Sequence, residues 1–224
     1  MNTLIFFDIN GTLIKRDERT DIPFSNAVNT LLGTDDAMNG VDTTARSDKD
    51  VFMEVLRNKS CGFSDELWSQ FMSLYVNQLE QFSSTDVWRP NADAVPFVKK
   101  LHEAGYTLAL ITGELSVGAE YKLNKIGIWQ CFLTGGYGED GLCRFQIADS
   151  ALEKVKLAAG CSFEKIWVTG DTVLDVQTAG HLGAGSIAIT TGSHSREKLL
   201  GENPDHCIDC FREIEDMFLP EKAR

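Results

Sequence analysis

An α/β fold is what this sequence predicts: a doubly wound parallel sheet with helices on both faces, interrupted once by an all-helical insertion. Three observations carry that expectation. Five short apolar runs recur along the chain, segments of helical periodicity separate most of them, and one long stretch after the first run has almost no strand signal.

The first run, Thr3 to Phe7, leads straight into Asp8-Ile9-Asn10-Gly11-Thr12. From Lys15 to Val87 the pattern changes. Phe52, Val55 and Leu56 recur at helical spacing, and so do Trp68, Phe71, Met72, Tyr75, Leu79 and Phe82. Residues 15–87 therefore read as a compact helical cap domain whose aromatics form a helix-packing core. The chain re-enters the sheet near Trp88-Arg89-Pro90, so residues 1–14 and 88–224 form the core domain. The remaining runs, Thr107 to Ile111, Cys131 to Leu133, Ile166 to Thr169 and Ser186 to Thr190, restore a Rossmann-like alternation. Ligands bind such sheets at the carboxyl ends of the strands. An insertion entered after the first strand sits above that edge, where a lid belongs.

Composition narrows the function. Apolar residues make up 43% of the 224 and charged residues 24%, as in an ordered globular protein. A formal net charge of -12 argues against nucleic acid or an anionic membrane as partner, since both reward basic patches. The N-terminus lacks a basic leader and no stretch approaches a membrane span, so a cytoplasmic protein acting on a small metabolite is expected. Six scattered cysteines among apolar neighbours read as buried thiols. Cys207 and Cys210 form a lone C-x-x-C without a partner pair or a His at ligand spacing, so a late strand is expected there rather than zinc.

The strand ends give Asp8-Ile9-Asn10-Gly11-Thr12, then Thr112-Gly113-Glu114, then Gly170-Asp171-Thr172 with Asp175 close behind. Asn10-Gly11 alone would suit a hairpin turn, but the chain beyond Leu13 becomes charged and no second strand follows promptly. Asp8, Asp171 and Asp175 in one cleft would repel each other unless a cation neutralised them. Magnesium, held by one or two carboxylates, a backbone carbonyl and a phosphate oxygen, resolves the conflict. A carboxylate oriented in this way can attack phosphorus and form an aspartyl-phosphate. The Thr112 hydroxyl and nearby backbone N–H groups would then hold the phosphoryl oxygens, and a Lys or Arg would balance their charge.

In this order the three clusters resemble signature motifs of the haloacid dehalogenase superfamily. "GYTLALITGELSVGAEYKL", "GGYGEDGLCRFQIADSALEKV" and "IAITTGSHSREKL" resemble its phosphatase branch with a helical cap, similar to the phosphoglycolate phosphatase type. The resemblance implies Asp8 as nucleophile and magnesium ligand, the Asn10 backbone carbonyl and Asp171 as further ligands, and Asp175 on a metal-bound water or steadying the loop. It implies that Gly11, Thr112, Gly113 and Glu114 bind phosphate, and that Arg46, Ser47 and Asp48 in "ARSDKDVFMEVL" face the site from the cap. Arg144 sits where this branch carries its catalytic cation, with Lys122 in "EYKL" the competitor, although an exposed helix lysine is an equal reading of it. Lys154 and Lys156 are expected to be solvated.

At position 10 the family's phosphatases normally carry a second aspartate, which protonates the leaving oxygen. Asparagine has no titratable proton near neutral pH, and losing such help typically costs roughly 10²- to 10⁴-fold in rate. The sequence thus leaves open a phosphatase that is slow or engineered as a trap, a binding pseudo-enzyme, and a phosphonatase using Lys15 or Lys59. Glu114, where this branch commonly has Asn, is a second departure.

Overall fold

The computed structural model describes residues 2–219. Its core is a six-stranded, wholly parallel sheet in the order β3-β2-β1-β4-β5-β6. The strands are β1 (Thr3–Phe7), β2 (Thr107–Ile111), β3 (Gly135–Gly136), β4 (Lys165–Gly170), β5 (Gly185–Ile189) and β6 (His206–Ile208). Strand alternation splits the core in two. Ile5 and Phe7 pack with Phe97, Val98 and Leu101 of α4 (Ala94–Glu103) and with Leu123 of α5 (Ser116–Lys125). Leu4 and Phe6 face the other way, against Ile147, Ala148, Ala151 and Val155 of α6 (Arg144–Ala159) and Ala179 of α7 (Val173–Leu182). The doubly wound expectation therefore holds, and strand order reverses on either side of β1, which is where such sheets open a ligand crevice.

One strand differs from expectation. Cys131–Leu133 is not a strand: a 3₁₀ turn occupies Trp129–Cys131, and β3 is the glycine pair that follows. Glycine is needed there by close packing, since a Cβ on Gly135 would lie 2.7 Å from the Leu110 Cβ and one on Gly136 2.3 Å from the Ile147 carbonyl. The cysteines also depart from the reading. Cys131 is buried, Cys207 and Cys210 are partly covered, and Cys61, Cys143 and Cys161 are exposed. Cys207 does fall in a late strand, β6.

Between β1 and α4 come three helices, α1 (Ile22–Leu32), α2 (Asp48–Asn58) and α3 (Asp65–Phe82). Phe24, Phe52, Phe71 and Tyr75 pack ring on ring among them, with Phe71 and Tyr75 stacked at 5.8 Å. The chain leaves and returns at one place. Ile14 and Pro90 form an antiparallel bridge, the Lys15 amide donates to the Arg89 carbonyl at 2.9 Å, and the Asn91 amide donates to the Leu13 carbonyl at 3.0 Å. No described helix is long and apolar enough to cross a membrane.

Candidate active site

β1 ends in a tight loop rather than a hairpin. The amides of Thr12, Leu13 and Ile14 all turn back to the Ile9 carbonyl, so Asp8 is delivered at the sheet's carboxyl edge. Gly11 takes φ of 87°, and a Cβ there would meet the Asp171 carboxylate at 2.6 Å, so only glycine lets this loop pass. β4 delivers Asp171 beside it. Asp171 accepts from the Thr12 hydroxyl at 3.3 Å and from the Ser193 amide at 2.5 Å. Asp175 completes a capping box at the start of α7, taking the Thr172 amide at 3.0 Å and hydroxyl at 2.7 Å on Oδ2.

Arg144 opens α6 and ties these acids together. Its Nη2 donates to Asp8 Oδ1 at 2.9 Å and also to Asp175 Oδ1. Burial opposes the arginine's charge, but Asp175 and Asp8 more than offset that and raise its pKa. Its Nε is buried without a hydrogen-bond partner among the described residues. Burial, then the charges of Asp175 and Asp171, hold Asp8 well above the usual carboxylate range in spite of Arg144. Burial and then Asp175 push Asp171 up to about 6. These carboxylates are short of positive charge, which suits a hard divalent cation. Asp8, Asp171 and the Asn10 backbone carbonyl could hold such a cation, whereas both oxygens of Asp175 are already engaged by Arg144 and Thr172.

The other lysine candidate has a different place. Lys122 is not an exposed helix residue: its side chain is 3% exposed, and it ion-pairs with Glu114 at 2.5 Å. It also donates to the Asn10 side-chain oxygen Oδ1 at 3.2 Å, while the Asn10 side-chain amide nitrogen donates to Glu114 Oε2 at 3.2 Å. Lys154 pairs with Asp140 at the surface, and Lys156 is exposed.

A cavity of about 200 Å³ joins these groups. Asp8, Asn10, Thr112, Gly113, Glu114, Lys122, Arg144, Asp171 and Asp175 all line it. Gly11 and Ser47 do not; Gly11 shapes the loop, and the Ser47 hydroxyl caps α2 through the Asp50 amide at 3.2 Å. Arg46 lines the cavity, but its guanidinium turns to Asp50 and Glu54, each at 2.6 Å. The segment docks through its backbone instead. The Asp48 amide donates to the Gly113 carbonyl at 2.7 Å, and Asp48 Oδ2 accepts from the Leu115 amide at 2.9 Å. Thr20, Asp21, Tyr75 and Ser193 also line the cavity and went unassigned in the sequence. Ser193 had a signal, since "TTGSHS" follows the β5 run as the other clusters follow theirs. Tyr75 had none, because its ring obeys the helix-core pattern and only its hydroxyl reaches Glu114, at 3.5 Å.

Comparison with known proteins places the chain among relatives of the same fold. A phosphoglycolate phosphatase from Vibrio vulnificus strain CMCP6 is 25% identical over 224 residues, covering 96% of each chain. A crystal structure described as a predicted phosphoglycolate phosphatase from Haemophilus somnus superposes with a TM-score of 0.65 at 18% identity, covering 96% of each chain. A hydrolase structure from Pseudomonas syringae gives 0.69 at 12% identity over the whole of both chains. The model of the haloacid dehalogenase-like hydrolases matches residues 5–180, which run from within β1 through the three helices to beyond the Asp171–Asp175 loop. With its acids and its arginine gathered at the carboxyl edge of the sheet, this chain belongs to the haloacid dehalogenase-like hydrolase family.

Proposed function

We propose that this chain is a magnesium-dependent phosphatase of small phosphomonoesters that works through an aspartyl-phosphate on Asp8, with residues 15–87 as its cap. The observation that carries the reading is the contact of Arg144 with Asp8 in a cavity that Asp171 also lines. The phosphatase names among the relatives favour the same ester class.

Asp8 would attack phosphorus, forming the Asp8 Oδ–P bond as the bond to the leaving oxygen breaks. Arg144, the Thr112 hydroxyl and the Gly113 backbone would hold the equatorial oxygens as their charge spreads. Magnesium bound at Asp8 and Asp171 would supply charge neutralisation between nucleophile and phosphate. Water then attacks the same phosphorus, releasing phosphate and restoring Asp8. Asn10 offers no proton to the departing alkoxide, so turnover of alkyl phosphates is expected to be slow.

A second reading, a phosphoryl-ligand binder without turnover, is favoured by the cradle that holds the Asn10 amide between Lys122 and Glu114. The phosphonatase reading gains no such support: Lys15 does not line the cavity, and Lys59 pairs with Asp36 at 2.6 Å. Hydrolysis of p-nitrophenyl phosphate with magnesium, abolished in Asp8→Ala, is the test. Phosphate and magnesium binding without any hydrolysis would establish the binder instead.

A further inference from the structure

The loop that carries Asp8 and Asn10 is fastened from behind by two side chains that do not line the cavity. Asn91 is buried and follows Pro90, where the chain returns from the helical insertion. Its backbone amide donates to the Leu13 carbonyl at 3.0 Å, which seats the residue against the loop. From that seat its Nδ2 donates to the Thr12 carbonyl at 2.6 Å, to the Gly11 carbonyl at 3.2 Å and to the Thr191 hydroxyl oxygen at 3.1 Å. Thr191, in the loop after β5, gives its own hydroxyl hydrogen to the Gly11 carbonyl at 2.6 Å.

All three partners of Nδ2 act as acceptors: two are carbonyls, and the third is a hydroxyl whose hydrogen is already engaged. Only a donor suits this position. The Gly11 amide donates in turn to the Ile14 carbonyl at 2.7 Å. With the amide and the carbonyl of Gly11 both tied, the peptide planes on either side of it are fixed, and the first of these planes contains the Asn10 carbonyl. The loop after β5 also holds the second acid. The Ser193 amide donates to Asp171 at 2.5 Å, and Gly192 lies too close to that carboxylate for a Cβ to fit.

We infer that Asn91, with Thr191, is a positioning residue that sets the direction of the Asn10 backbone carbonyl relative to Asp8 and Asp171. It ties the point where the insertion rejoins the sheet to the edge where these acids lie. The clamp is a property of the loop, whereas its effect on magnesium rests on the metal reading of the site.

Asn91→Leu keeps roughly the size of the side chain and removes the donor without adding charge, so it separates clamping from space filling. Magnesium affinity is measured by calorimetry on the whole chain without substrate, at a temperature where each variant keeps the parent's far-UV circular dichroism. Amide hydrogen exchange at Thr12, Leu13 and Ile14 reads the loop directly. Asn91→Leu should weaken magnesium binding by at least about tenfold, the scale found for residues that orient metal ligands, and should speed exchange at those three amides. Thr191→Val should do the same to a smaller degree, and Thr191→Ser, which keeps the hydroxyl, should behave as the parent does. Val155→Ala, a cavity-forming change at the far end of α6 from Arg144, supplies a destabilised control that should change neither reading. Loop exchange or magnesium affinity at the parent level in Asn91→Leu, or equal changes in Val155→Ala, would overturn the inference. If the parent bound no magnesium, the metal reading would fall, and loop exchange alone would decide the clamp.

Discussion

Asn10 faces Glu114, its amide nitrogen 3.2 Å from Oε2, while its carbonyl oxygen faces the Lys122 ammonium at the same distance. Lysine can only donate and an ionised glutamate can only accept, so the two neighbours fix which way the amide points. Position 10 is matched to an amide. An aspartate there would keep the contact with Lys122 and set a second carboxylate against Glu114.

Asn10→Asp should therefore not act as a simple restoration. Two carboxylates at hydrogen-bond distance destabilise each other, and the variant is expected to lose about 1–3 kcal/mol of stability near neutral pH, the scale of an unsatisfied buried polar contact. Adding Glu114→Gln should recover most of that loss. Urea titrations of the two single variants and the double variant give the coupling energy, and an additive cycle would refute the matched-amide account.

Lys122 and Glu114 form a buried pair, and breaking it from one side leaves an uncompensated charge. Lys122→Met should destabilise the protein by about 3–5 kcal/mol, whereas Lys122→Met with Glu114→Gln should be far milder. Thermal melts of the three proteins check this. Equal losses in the single and double variants would mean that the pair is not coupled.

Gly11 has left-handed backbone geometry directly over the Asp171 carboxylate. Gly11→Ala adds roughly 1–2 kcal/mol of backbone strain and pushes a methyl group into the Asp171 carboxylate, a proposed magnesium ligand. Magnesium affinity should fall markedly in calorimetry while α-helical content is kept. Asp8→Asn and Asp171→Asn should weaken magnesium as well, by removing a charged ligand.

The raised pKa of Asp171, about 6, has a definite sign. The unfolded chain gives up this proton near pH 4, so between there and about pH 6 the folded state holds the proton more tightly than the unfolded one. Stability of the metal-free protein should fall as pH rises through that window, by up to about 3 kcal/mol from this group. Magnesium favours the ionised form and should remove the slope. Melting temperatures across the range, in chelator and in magnesium, make the comparison, and Asp171→Asn should flatten the chelator curve.

The two halves of the site differed in how far sequence could reach them. Asp8, Thr112 and Asp171 follow apolar strands directly, and parallel sheets bring all such positions to one edge, so strand pattern alone collects them. The trio of Asn10, Glu114 and Lys122 has no such rule. Lys122 sits on a helix where spacing permits either face, and its burial is decided by how α5 docks over the β2 loop. β3 escaped for a related reason: two glycines have no side-chain pattern, and their role is to let Leu110 and α6 come close. Arg46 lines the cavity, and its pairing with Asp50 and Glu54, on the next two turns of α2, is a competition that the cap motif alone does not show.

The bridge between Ile14 and Pro90 has a consequence for how such a protein changes over time. Seen from the sheet, everything between those residues is one loop whose ends already meet. The entropy of closing a loop grows only logarithmically, about 0.6 kcal/mol for each doubling of its length. Helices can therefore be lengthened, traded or rebuilt above this bridge at little cost to the folding of the sheet that carries Asp8 and Asp171. Thr20, Asp48 and Tyr75 of the cavity wall are borne by the replaceable part, and Asp8, Thr112, Arg144 and Asp171 by the fixed part.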